Sequence, residues 1–171
     1  MTEVVETYVL TFTEGHACKI DVEVRILSEQ TEIQETLAFN GIDRLDHAEL
    51  CTALYLLGFA MGIEQAVHGN NLNLRKVVLN QEPGKRIGFV EVELHGPTVR
   101  RIVHIVVTDC LCVKDASAAA RRRLIEIGKA VAEQAARRIH DHKPDLAIVK
   151  AVQPPNVLIA AGLAAANNAN R

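Results

Sequence analysis

The chain has 171 residues, 49% of them hydrophobic and 23% charged, with a formal net charge of −2 at pH 7. That length fits one domain able to bury a core without a metal or disulfide staple. The composition excludes a disordered chain, a collagen-like repeat and a small cysteine scaffold.

Residues 7–12 (TYVLTF) and 18–27 (CKIDVEVRIL) read as strands. In the second, Ile20, Val22, Val24 and Ile26 alternate with Lys19, Asp21, Glu23 and Arg25, the period of a strand with one buried and one charged face. The Glu14-Gly15-His16 turn between the two runs predicts a hairpin. Residues 28–45 are polar and irregular, with a helical turn expected around Ile33–Phe39 that Asn40-Gly41 ends.

Asp46 followed by Glu49 has the spacing of a capping box, which opens a predicted helix from Asp46 to about Val67. Leu50, Leu54, Phe59 and Ile63 lie on different faces of it, so the helix is apolar nearly all round. Such a helix is either central to a core or turned toward a partner subunit. Its uninterrupted apolar run, 50–63, is 14 residues long and suits a buried helix better than a bilayer span.

Three further strands are predicted at 75–79, 86–95 and 100–108, with turns at Pro83-Gly84 and Gly96-Pro97. They form an antiparallel meander. From Asp115 or Ser117 to about Asp141 the apolar positions Leu124, Ile127, Val131, Ala135 and Ile139 mark an amphipathic helix. A final strand is predicted at 145–152. From about 154 the Ala/Asn-rich tail is expected to be flexible or at an interface. The order β-β-α-β-β-β-α-β, without an internal repeat, predicts a single α+β domain over 1–171, mainly antiparallel sheet covered by two long helices.

Few residues carry a chemical signature. Cys110 and Cys112, two apart, could share a soft metal on one strand face, but no second knuckle exists and Cys18 and Cys51 stand alone. Buried thiols are the better reading, and no metal is expected. The irregular cysteines and the acidic N-terminus, which lacks a signal-peptide pattern, predict a cytoplasmic protein. Arg121–Arg123 with Arg137 and Arg138 make a basic helix surface. A pI of about 6.4 with two tyrosines argues for a solvated face or subunit salt bridges, not for nucleic acid. No membrane partner is expected either. Neither GxGxxG, a Walker loop nor GxSxG occurs. His104, inside a strand, reads as a hydrogen-bonded core side chain, and His140 and His142 suit a helix C-terminus. His16, in a turn beside the charged strand face, is the histidine best placed as a loop-borne acid or base.

Lys19-Ile20-Asp21 after the turn holding His16, the apolar helix that follows, and the segment Ile102–Val152 with Asp115-Ala116 opening its helix resemble the formaldehyde-activating enzyme family. The resemblance covers about two thirds of the chain in order. It departs from the family where the acid–base histidine would stand, since Lys19 occupies that position and His16 lies three residues earlier. It implies an oligomeric, metal-free lyase or condensing enzyme that joins formaldehyde to a reduced pterin resembling tetrahydromethanopterin, a co-substrate and not a bound cofactor. Lys19 or His16 could donate the proton that expels water from a carbinolamine, and Asp21 could orient the acid or hold a pterin donor.

Two functions are thus expected from different classes. One is a carbon–nitrogen lyase or condensing enzyme using His16, Lys19 and Asp21, with its site between subunits. The other is a non-catalytic homo-oligomeric ligand-binding or assembly protein. A concave pocket with convergent polar groups favours the first, and a flat charged face favours the second.

Overall fold

The computed structural model describes residues 1–11, 18–69, 72–79, 87–95 and 100–142. The predicted turns at 14–16, 83–84 and 96–97, the strand at 145–152 and the tail from 154 lie outside the described residues. The elements are β1 (Thr2–Thr11), β2 (Lys19–Ser28), β3 (Thr31–Asn40), α1 (Leu45–His68), β4 (Leu72–Leu79), β5 (Ile87–His95), β6 (Arg100–Thr108) and α2 (Val113–Asp141). They make an α+β domain of two helices and two antiparallel sheets, β1-β2-β3 and β4-β5-β6.

The pattern β-β-β-α therefore occurs twice, which corrects the expected order and the expected lack of a repeat. The difference is β3. Residues 31–40 are a ten-residue strand paired with β2 along its whole length, from Ser28–Thr31 to Lys19–Asn40, not an irregular stretch with a helical turn. The β2–β3 turn is only Glu29 and Gln30, and Glu29 takes a left-handed backbone (φ 52°) without the Gly or Asn that usually marks such a turn. The predicted β1–β2 hairpin forms, and so does the β4–β5–β6 meander.

The capping box does not form. The residue before the first turn of α1 is Arg44, and no side chain caps that end. Asp46 lies inside the first turn, where its carboxylate takes the Arg44 guanidinium and the His47 N–H. A carboxylate there still favours the helix through the dipole.

The core sits where the sheets close over the helix pair. Ile20, Val22, Val24 and Ile26 of β2 are fully buried, as their alternation predicts, and belong to the same core cluster as Val90, Val92 and Leu94 of β5. By length and composition α1 could cross a membrane, yet most of it is buried inside this fold. Its large apolar side chains that remain exposed are Leu45 and Met61, so the chain's own sheets and α2 cover the rest. The helices approach closely at Gly128, where a β-carbon would lie 3.5 Å from the Ala60 carbonyl oxygen and from Ile63 Cγ2.

Strands β3 and β6 are edges of different sheets. They run side by side without a backbone ladder. The gap is bridged by the Val106 N–H donating to Thr31 Oγ1 (3.4 Å) and by Arg101 Nη1 donating to the Gln34 carbonyl (3.3 Å). Because Thr31 meets Val106 while Gln34 meets Arg101, the two edges are antiparallel. This seam positions a buried carboxylate.

Candidate functional site

Strand β3 turns Thr31, Ile33, Glu35, Leu37 and Phe39 inward. Four of the five suit a core or its edge. Glu35 does not: it is 2% exposed, in the middle of a buried row. Its Oε2 accepts a hydrogen bond from the Tyr55 hydroxyl of α1 (2.8 Å) and pairs with the Arg101 guanidinium of β6. Its Oε1 is buried without a partner. Burial pushes the Glu35 carboxyl above the usual carboxylate range, against the downward pull of Tyr55 and Arg101. Burial and the adjacent carboxylate also push Tyr55 upward, so its hydroxyl stays a donor. The Tyr55 ring stacks on Phe59, with centroids 6.4 Å apart, which fixes the hydroxyl.

A second carboxylate makes the contrast. Glu6 of β1 is also nearly buried, and it too holds a tyrosine and an arginine, Tyr8 and Arg138. There the work is divided, with Oε2 taking Tyr8 and Oε1 taking Arg138. Glu6 is a satisfied structural pair. Glu35 has both partners on one oxygen and keeps the other unused, a costly arrangement in an apolar interior.

Arg101 joins this buried group to the surface. Its side chain is 36% exposed and lines an open groove of about 340 Å³ along the seam, with Glu32, Gln34, Ile102 and His104. Farther along the same seam, a groove of about 400 Å³ lies against α2, lined by Gln30, Thr108, Arg122 and Arg123 among others. Arg123 is already held there by Glu29 (2.7 Å), Glu126 (3.4 Å) and the Ser28 carbonyl (3.0 Å).

The residues singled out in the sequence fall elsewhere. Lys19 and Asp21 do lie together on the outward face of β2, with Nζ 2.9 Å from Oδ1, and their side chains are 47% and 36% exposed. The same face carries Arg25 paired with Glu32 (2.6 Å) and Gln34 donating to Glu23 (2.9 Å). It is an open sheet face on which charges neutralise one another. His16 lies outside the described residues. Cys51 is buried and pushed up to about 11 by that burial, Cys110 is buried, and Cys112 is exposed at the start of α2. Among the described residues, no three His, Cys, Asp or Glu side chains come together as a metal set. Arg121 donates to the Val67 carbonyl at the end of α1 (3.1 Å), so part of the basic helix surface closes the fold. His104 is an exposed outward residue of β6, edge-on to Phe89 with centroids 5.2 Å apart, not a core histidine.

No family model matches the chain, and no curated protein or solved structure matches it.

Chemically, the seam offers a guanidinium fixed in orientation by a buried carboxylate and a backbone carbonyl. A group held this way is suited to receiving a carboxylate, carbonyl or other oxygen acceptor. Glu35 itself does not line the groove; it acts by holding Arg101. Neither residue carries a local sequence signature. Assigning period two across 31–40 would have turned a carboxylate inward, and the same period on β6 sets Arg101 in phase with Val103, Ile105 and Val107.

Proposed function

We propose that this chain is a small-molecule binding protein that holds an oxygen-bearing ligand in the β3–β6 groove, with Arg101 as its main polar contact. One observation carries this reading: Arg101 lines a concave groove while Glu35, buried behind it, and the Gln34 carbonyl fix its guanidinium. The volume is within the usual range for small-ligand sites, about 300–1,000 Å³. A thermal-shift screen of small carboxylates, keto acids and reduced pterins, followed by calorimetry, tests it. At least one compound is expected to stabilise the wild type and to lose that effect in Arg101→Lys, which keeps the charge but not the planar fork. Equal stabilisation of both proteins by every compound that binds, or no binding at all, would sink the reading.

The condensing-enzyme reading keeps one observation in its favour, the Lys19–Asp21 contact at 2.9 Å. It calls for formaldehyde and a reduced pterin on the open face of β2, with His16 as the alternative acid. Consumption of formaldehyde by the wild type that falls by about 10²–10⁴ in Lys19→Ala, with no loss of stability, would support it. Absence of turnover in the wild type leaves the binding protein as the reading.

A further inference from the structure

We propose that the outward face of the β4–β5–β6 sheet binds the same face of a second copy of this chain. This goes beyond the ligand-binding reading and does not depend on it. The two sheets share a topology but differ outside: on the first, the exposed Val5 and Val9 of β1 each stand opposite a charged residue of β2, Arg25 and Asp21, so no apolar row crosses that face. The outward charges of β2 and β3 neutralise one another within the chain. On the second sheet an apolar row, Val78–Phe89–Val106, crosses all three strands in register. Val78 is 47% and Phe89 37% exposed, and Ile87 and Ile102 add apolar surface at 42% and 43%. Clustered apolar groups on one outer face mark an interaction surface.

The charges beside that row select the partner. In the next row, Lys76 of β4 stands opposite Glu91 of β5. Arg75, also on β4, is 3.9 Å from both Glu91 and Glu93, too long and too exposed to hold firmly. Thus β4 carries cations and β5 carries carboxylates. A two-fold axis running along the strands between β4 and β5 lays each copy's β4 on the other's β5. Val78 then meets Phe89 and Lys76 meets Glu91, each contact occurring twice, as an isologous interface requires. A strongly acidic or basic partner would leave one sign unmatched. With the axis between β4 and β5 only those two strands overlap, so strand spacing and rise give a face of about 10 by 30 Å, roughly 300 Å² per copy against about 800 Å² for a standard interface, and the dimer is weak and forms only at high protein concentration.

Sedimentation of the full chain up to about 500 µM is the test. The wild type is expected to dimerise. Phe89→Glu should raise the dissociation constant at least about tenfold with an unchanged melting temperature. Val9→Glu, on the outward face of the other sheet, should change nothing. The charge pattern gives an independent arm: Lys76→Glu alone and Glu91→Lys alone should both be monomeric, and an equimolar mixture of the two should form a heterodimer. A wild type that stays monomeric, a dimer indifferent to Phe89→Glu, or variants that do not combine on mixing would overturn the proposal.

Discussion

Glu35 on β3 and Arg101 on β6 form an ion pair across two strand edges that share no backbone ladder. The sheets are therefore tied at this seam by side chains, and one of those side chains is a carboxylate with no access to water. Removing the cation while leaving the carboxylate exposes the full desolvation penalty. Arg101→Met should destabilise the protein by about 3 kcal/mol, whereas Glu35→Met with Arg101→Met should recover most of that loss. Urea denaturation of the four proteins of this cycle measures it, and additive losses would refute the coupling.

The same carboxylate sets a pH dependence. Its folded-state pKa is raised, chiefly by burial, so the folded protein keeps this proton over a range where the unfolded chain has lost it. The stability contributed by Glu35 is therefore complete below the unfolded carboxylate value, about 4.3, and is lost as pH rises through the folded value. Glu35→Gln should remove that decline. The difference between wild-type and variant urea midpoints, followed from acid to neutral pH, isolates it from the other titrating groups. A difference that does not change with pH would contradict the sign argued here.

Lys19 is a sharper probe of function than of stability. Its ion pair with Asp21 is half exposed, and such pairs contribute about 0–1 kcal/mol. Lys19→Ala should shift the unfolding free energy by no more than about 0.5 kcal/mol. A larger loss would mean that the outward face of β2 is covered in solution.

Two glycines should respond in opposite ways to alanine. At Gly128 the added β-carbon meets Ala60 and Ile63 at ordinary contact distance, 3.5 Å, and gains helix propensity of up to about 1 kcal/mol. At Gly88 it would come 2.7 Å from Leu79 Cδ2 and 2.9 Å from Val107 Cγ2. The valine is β-branched and cannot swing away freely. Thermal melts should rise for Gly128→Ala and fall for Gly88→Ala.

The thiols should divide by exposure. Cys51 is buried and shifted to about 11, and Cys110 is buried and shifted upward, while Cys112 is exposed at the start of α2. Thiolate and access together set alkylation rates. Brief iodoacetamide treatment of the native protein at about pH 8 should label Cys112 well before Cys51 or Cys110, as read by peptide mass spectrometry.

Most of the fold is legible in the sequence because most of its strands alternate cleanly. The four aliphatics of β2 and the Val90-Val92-Leu94 set of β5 announce both period and buried face. β3 is hidden by two local facts. Its middle inward position is Glu35 where the pattern calls for an apolar residue, and its turn is Glu29-Gln30, with a left-handed glutamate in place of glycine. The residue that obscures the strand is also the centre of the candidate site, so the strand and the site are hidden together. Lys19 and Asp21 stood out because a regular strand makes its charged face conspicuous. Regularity of that kind marks a solvent face more often than a site. The seam was illegible for another reason: it joins residues 66 positions apart, and no local pattern encodes which two edges will meet.

The hold of α2 on β1 also bears on how the protein is made. Gln134 donates to the Thr2 carbonyl and Arg138 pairs with Glu6, contacts between residues 132 apart in both cases. Among the described elements, the strand made earliest, β1, is therefore sealed by the helix made latest, α2. At about 5–20 residues per second, β1 waits on the order of ten seconds with its inner edge uncovered. During that interval the nascent chain presents the Thr2 carbonyl and the Glu6 carboxylate without Gln134 and Arg138, so β1 stays open to chaperone capture or mispairing until α2 is made.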